Sequence, residues 1–135
     1  MKSWKASTGR ILIPAGGSAP GTVAIGADAD FEVDYLTGEF STLSGGADVG
    51  FCVLSARLYD AGAQTWLFDN FIPLSLLLTP GRTLTALAGN PSAPLFWPLD
   101  LKHRFIKNGS IQVEFRSNAA VTDNFAEICF HGHKV

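Results

Sequence analysis

The pair of residues with the clearest potential for chemistry is His131-Gly132-His133, close to Val135. On a β-strand, residues two apart share a face at a separation of about 6.5–7 Å, so two imidazoles there can reach one metal ion. Glu127 and Cys129 continue the same row. A row of four alternate positions is too long for a single tetrahedral site, and a third ligand would have to come from elsewhere, with His103 the candidate. The row therefore reads as polar residues on the solvent side of a strand, and neither a metal nor any other cofactor is expected.

Other chemistries find less support. No GxSxG elbow is present to expose a nucleophilic serine. Asp28 and Asp30 stand two apart before a strand, where paired acids form turns or caps more readily than a glycosidase site. Gly16-Gly17 lacks the lysine and the following helix of a phosphate-binding loop. Asn108-Gly109-Ser110 fits a glycosylation sequon, but a tight turn accounts for it fully. Cys52 and Cys129 form no CxxC motif and are expected to be free thiols. No catalytic residue is expected. Trp4, near the N-terminus, and Phe96-Trp97, in a proline-rich stretch, are bulky rings outside regular strands. Such rings either anchor a partner or fold back as lids over the ends of a core.

The elements that would position these residues are almost all strands. The chain shows period-two alternation broken by Gly, Pro, Asn and Asp, with almost no helical periodicity. Strands are expected at Arg10–Pro14, closed by Pro14-Ala15-Gly16-Gly17, and at Thr22–Ile25. Phe31, Val33 and Tyr35 form the inner side of another, with a bend or turn at Leu36–Glu39. Val49–Tyr59 and Trp66–Phe71 read as a hairpin through Asp60–Ala63. Leu74–Leu78, apolar on both faces, reads as a buried or interface strand. Thr83–Leu87 follows the Pro80-Gly81 turn, and Pro91, Pro94 and Pro98 make Ala88–Pro98 an extended loop. Lys107–Ser110 reads as a type I′ hairpin turn joining Phe105-Ile106 to Ile111–Phe115. After a polar loop, Phe125–His133 closes the chain, with Ala126, Ile128 and Phe130 facing inward. Eight or nine strands at roughly ten-residue spacing point to an all-β, antiparallel sandwich or barrel. It forms a single domain over 1–135, with residues 1–9 as an N-terminal arm.

Composition narrows the class. The chain has 135 residues, 47% hydrophobic but only 16% charged, against roughly 25% charged in typical soluble domains. The shortfall points to apolar surface that a partner covers. A net charge of −2 with no Lys/Arg run argues against nucleic acid as that partner. The apolar run at Phe71–Leu78 is far below the roughly 20 residues of a membrane helix, so no membrane partner is expected. The N-terminal residues carry no apolar signal core, so synthesis and retention in the cytoplasm are expected.

Several segments resemble a family of small β proteins encoded among the structural genes of tailed bacteriophages. They are Gly9–Gly17 (GRILIPAGG), Asp28–Val33 (DADFEV), the hairpin through Tyr59–Gly62, Gly109–Phe115 (GSIQVEF) and the closing Phe130–Lys134 (FHGHK). The resemblance implies a virion protein, and within that group a jelly-roll cement or decoration protein that clamps the major capsid protein on the capsid surface. It further implies a homo-oligomer, dimer or trimer, and it carries over no catalytic residue. Trp4, Ile11, Leu95, Phe96 and Trp97 are the expected partner contacts. A tail, neck or fibre-adaptor protein of the virion is the alternative, and a carbohydrate-binding β-sandwich module is another.

Overall fold

The computed structural model describes residues 2–41, 43–44, 47–48, 53–78, 82–83, 103–119 and 123–135. The strands are β1 (Lys2–Ser7), β2 (Ile11–Ile13), β3 (Ser18–Ala24), β4 (Phe31–Phe40), β5 (Leu43–Ser44), β6 (Ala47–Asp48), β7 (Leu54–Asp60) and β8 (Thr65–Pro73). A single helical turn α1 (Leu74–Leu77) precedes β9 (Arg82–Thr83), β10 (His103–Phe105), β11 (Ser110–Ser117) and β12 (Asn124–Lys134).

Two sheets form the sandwich. Sheet A has the order β1-β12-β4-β10, with β2 also on β12 and short β9 parallel to β4; sheet B has the order β3-β11-β7-β8. With β1 and β2 counted as one edge and β5, β6 and β9 set aside as two-residue pieces, eight strands remain among the described residues. They pair first with last (β1/β2 with β12), second with seventh (β3 with β11), third with sixth (β4 with β10) and fourth with fifth (β7 with β8). This nesting is one long antiparallel hairpin rolled into two sheets, the jelly-roll winding.

Alternation explains the packing. Ile111, Val113 and Phe115 of β11, Leu54, Ala56 and Leu58 of β7, and Ala126, Ile128 and Phe130 of β12 are all buried. They meet the phenylalanines Phe31, Phe40 and Phe105 between the sheets. Full burial of a side chain of that size stabilises by about 1.5–3 kcal/mol, so this layer fixes which face of each strand points inward.

Four expectations are corrected. Lys107–Ser110 does not close a hairpin, because β10 belongs to sheet A and β11 to sheet B. Asn108 alone is left-handed (φ 64°), and the Gly109 N–H donates to the Ile106 carbonyl at 3.1 Å. One left-handed residue at the third turn position is not the type I′ geometry, and it lets the chain cross between layers.

Leu36–Glu39 does not bend out of the strand. Instead β4 runs on to Phe40, and its register against β12 shifts between His131 and Gly132, leaving Asp34 as the extra residue of a bulge. Inward positions change there from odd (Phe31, Val33) to even (Leu36, Phe40), which turns Tyr35 out to 39% exposure.

Leu74–Leu78 is a helical turn, not a strand. Leu74, Leu77 and Leu78 are buried at i, i+3 and i+4, Leu76 is exposed, and the Leu78 N–H donates to the Leu74 carbonyl at 2.9 Å. Residues 2–7 of the expected arm are strand β1, paired along its length with β12. The expected strand 49–59 is described from Val53 onward, and most of 83–87, all of 88–98 and Cys52 lie outside the described residues.

Candidate binding faces

The outer face of sheet A carries the histidine row. His131 stacks on Tyr35 (centroids 4.6 Å apart, 9° between planes) and shares a 2.6 Å hydrogen bond between its Nε2 and Thr37 Oγ1. Burial, and then the charge of Lys5, hold the His131 pKa below its ordinary value, which favours the neutral ring. His133 turns to other partners, with Nδ1 3.2 Å from Asp34 and Nε2 3.6 Å from Glu32. Glu127 accepts from the Ser7 hydroxyl at 2.7 Å. His103, on β10, does not join the row, because its Nε2 lies 2.8 Å from Asp60 Oδ2 of the other sheet.

Cys129 is a free thiol whose pKa burial pushes up, the opposite of what activates a nucleophilic cysteine. Each ring of the row thus has its own partners. Among the described residues no group of three or more His, Cys, Asp or Glu side chains converges on one point.

The two early acids are tied to basic groups. Asp28 pairs with Lys134 at 3.2 Å, and Asp30 accepts from the Lys107 N–H at 2.9 Å and from Arg104 at 3.1 Å. The Lys134 ammonium, for Asp28, and the Lys107 N–H, for Asp30, hold both carboxyls below their ordinary range.

Sheet B presents a different outer face. Register places Thr22, Gln112, Tyr59 and Trp66 in one row across β3, β11, β7 and β8. In the next row, Nε and Nη2 of Arg57 both donate to Oε2 of Glu114, at 3.0 and 2.7 Å. The Arg57 guanidinium lies 4.4 Å from the Trp66 ring and 4.8 Å from the Phe71 ring, and the Arg116 guanidinium lies 4.1 Å from the same Phe71 ring. Tyr59 meets Trp66 edge-on at 4.9 Å. The tall aromatics of β7 and β8 face the small residues of β3, and between them runs a shallow trough of about 460 Å³.

Comparison of the chain with protein-family models, with curated proteins and with solved structures finds no match. Its own geometry must carry the functional reading.

Of the five expected contact residues, two are described. Trp4 packs on its own core as a lid, edge-on to Phe31 at 4.6 Å with the Lys134 ammonium 4.1 Å from its ring. Ile11, on β2, is half-buried against the core. Leu95, Phe96 and Trp97 lie outside the described residues. Beside Ile11, Leu12 is 63% exposed and pairs with Phe125, over whose ring the Arg10 guanidinium sits at 4.0 Å. Sequence reasoning missed Leu12 and the Tyr59–Trp66 row. The signal for the row was there: Arg57 and Tyr59 alternate outward, and Trp66 follows the turn as their hairpin neighbour.

Proposed function

We propose that this chain is a virion structural subunit, a capsid cement or decoration protein that binds the major capsid protein shell as a homo-oligomer. The observation that carries the reading is the nested strand order, first with last through fourth with fifth, which is the fold implied by the resemblance to phage structural proteins. The edge formed by β1 and β2 supports it. Edge strands offer backbone groups for pairing, and this one adds an exposed Leu12 beside the Arg10–Phe125 stack. The low charge of the chain fits a surface covered in an assembly.

The test is co-sedimentation of the purified chain with shells of the major capsid protein, alongside electron microscopy of the intact particle. Saturable binding to shells, lost in Leu12→Asp, supports cement. Density for the chain on the tail or neck replaces the cement reading with that of an adaptor, and absence from the particle ends the virion reading.

A further inference from the structure

We infer that the trough on the outer face of sheet B is a binding site for a neutral oligosaccharide. The inference stands apart from the virion reading, since it rests on a different face of the sandwich.

The first argument is the aromatic wall. Trp66 is 41% exposed, yet it is held on two sides, by the Arg57 guanidinium at 4.4 Å and by the edge contact with Tyr59 at 4.9 Å. An indole that is positioned without being covered loses little freedom when a ligand packs on it. A pyranose ring has a face of C–H groups suited to such a wall and a rim of hydroxyls that both donate and accept.

The second argument is the chemistry beside that wall. The amide of Gln112 and the hydroxyls of Thr22 and Tyr59 each donate and accept, as a rim of hydroxyls requires. Glu114 adds an acceptor, because both Arg57 bonds land on Oε2 and leave Oε1. Among the described residues, the Arg57–Glu114 pair at the trough is neutralised internally, so it selects neither an anion nor a cation.

The third argument is size and shape. The row from Thr22 to Trp66 crosses four strands, three spacings of roughly 4.8 Å, or about 14 Å in all. That is long enough for more than one sugar ring, and the trough volume lies within the range of small-ligand sites. A peptide adding as a strand along this side meets Pro20 on edge strand β3, which has no N–H to offer.

The experiment is an array of short neutral oligosaccharides built from glucose, galactose, mannose and N-acetylglucosamine, probed with the full chain. Any hit is then titrated by calorimetry against wild type, Trp66→Ala and Gln112→Ala, each checked for an unchanged melting transition. The expected result is binding of at least one neutral oligosaccharide, weakened about tenfold or more by Trp66→Ala and measurably by Gln112→Ala. If Trp66→Ala does not fold, Gln112→Ala and Thr22→Val carry the test. No hit on the array overturns the proposal. So does binding that all folded variants retain, or binding that moderate salt abolishes.

Discussion

Asp60 of sheet B and His103 of sheet A meet across the sandwich, with His103 Nε2 2.8 Å from Asp60 Oδ2. The Asp60 side chain is only 2% exposed, and its Oδ1 also accepts the Ala63 N–H at 3.1 Å. A carboxylate only accepts, so the ring nitrogen donates. The pair therefore staples the two layers at the end of β7 and orders the turn that leads into β8.

The two sides of this staple are not equivalent. His103→Leu leaves a buried carboxylate with the Ala63 N–H as its partner among the described residues, and a cost of about 2–3 kcal/mol is expected. Asp60→Asn keeps the shape and an acceptor, and about 1 kcal/mol is expected. Urea denaturation of both variants checks the order through the shift in midpoint at constant slope. A midpoint for His103→Leu above that of Asp60→Asn would show that the carboxylate is satisfied without the histidine.

Within the His131-Gly132-His133 motif, the glycine carries more of the stability than His133. A Cβ built at Gly132 collides with the Glu32 carbonyl oxygen of the paired strand β4 and lies 2.8 Å from the Phe31 ring. Gly132→Ala is expected to cost about 1–3 kcal/mol or more, as overpacking against backbone does. His133→Ala removes only partly exposed ion pairs and is expected to cost about 0–1 kcal/mol. Thermal melts of the two variants distinguish these outcomes.

The strands whose inner positions alternate without interruption, such as Ile111–Phe115 and Ala126–Phe130, were legible in the sequence because burial and period agree. Which sheet each strand joins was not. A turn such as Lys107–Gly109 sets a local reversal, while the layer is decided by distant pairings such as Ile111 with Val23 and Asp60. The bulge at Asp34 left one trace, the glycine between two histidines where the register shifts, and no local pattern marks that as a bulge. Leu74–Leu78 fits both a buried strand and a helical turn, and packing of Leu74, Leu77 and Leu78 chose the turn. The aromatic face of sheet B was within reach as an alternation of Arg57 and Tyr59, but its significance depends on register with Gln112 and Trp66 that no local pattern supplies.

His131 gives the fold a pH dependence of definite sign. Its folded-state pKa is lowered by burial and by Lys5, so the unfolded chain binds the proton more readily. Stability from the neutral ring is complete above the unfolded value of about 6.5 and is lost as pH falls from there through the lower folded value. His131→Gln, which keeps a polar side chain beside Thr37, is expected to flatten the melting temperature over that window. A profile identical to wild type would assign the dependence to other groups.

Leu12 separates fold from assembly. Its side chain is 63% exposed on a three-residue edge strand, so little of it packs within the chain. Leu12→Ser is therefore expected to shift stability by no more than about 0.5 kcal/mol. If β1 and β2 form the docking edge, the same change removes an apolar contact at the centre of that surface. Weaker shell binding and a smaller oligomer in native mass measurements are then expected at an unchanged melting temperature. Trp4→Ala makes the contrasting variant. Its ring covers Phe31 and lies against the Lys134 ammonium, so its loss is expected to lower the melting temperature whether or not a shell is present. Assembly lost in Trp4→Ala but intact in Leu12→Ser would move the contact from the Leu12–Phe125 patch to the end of the sandwich that Trp4 covers.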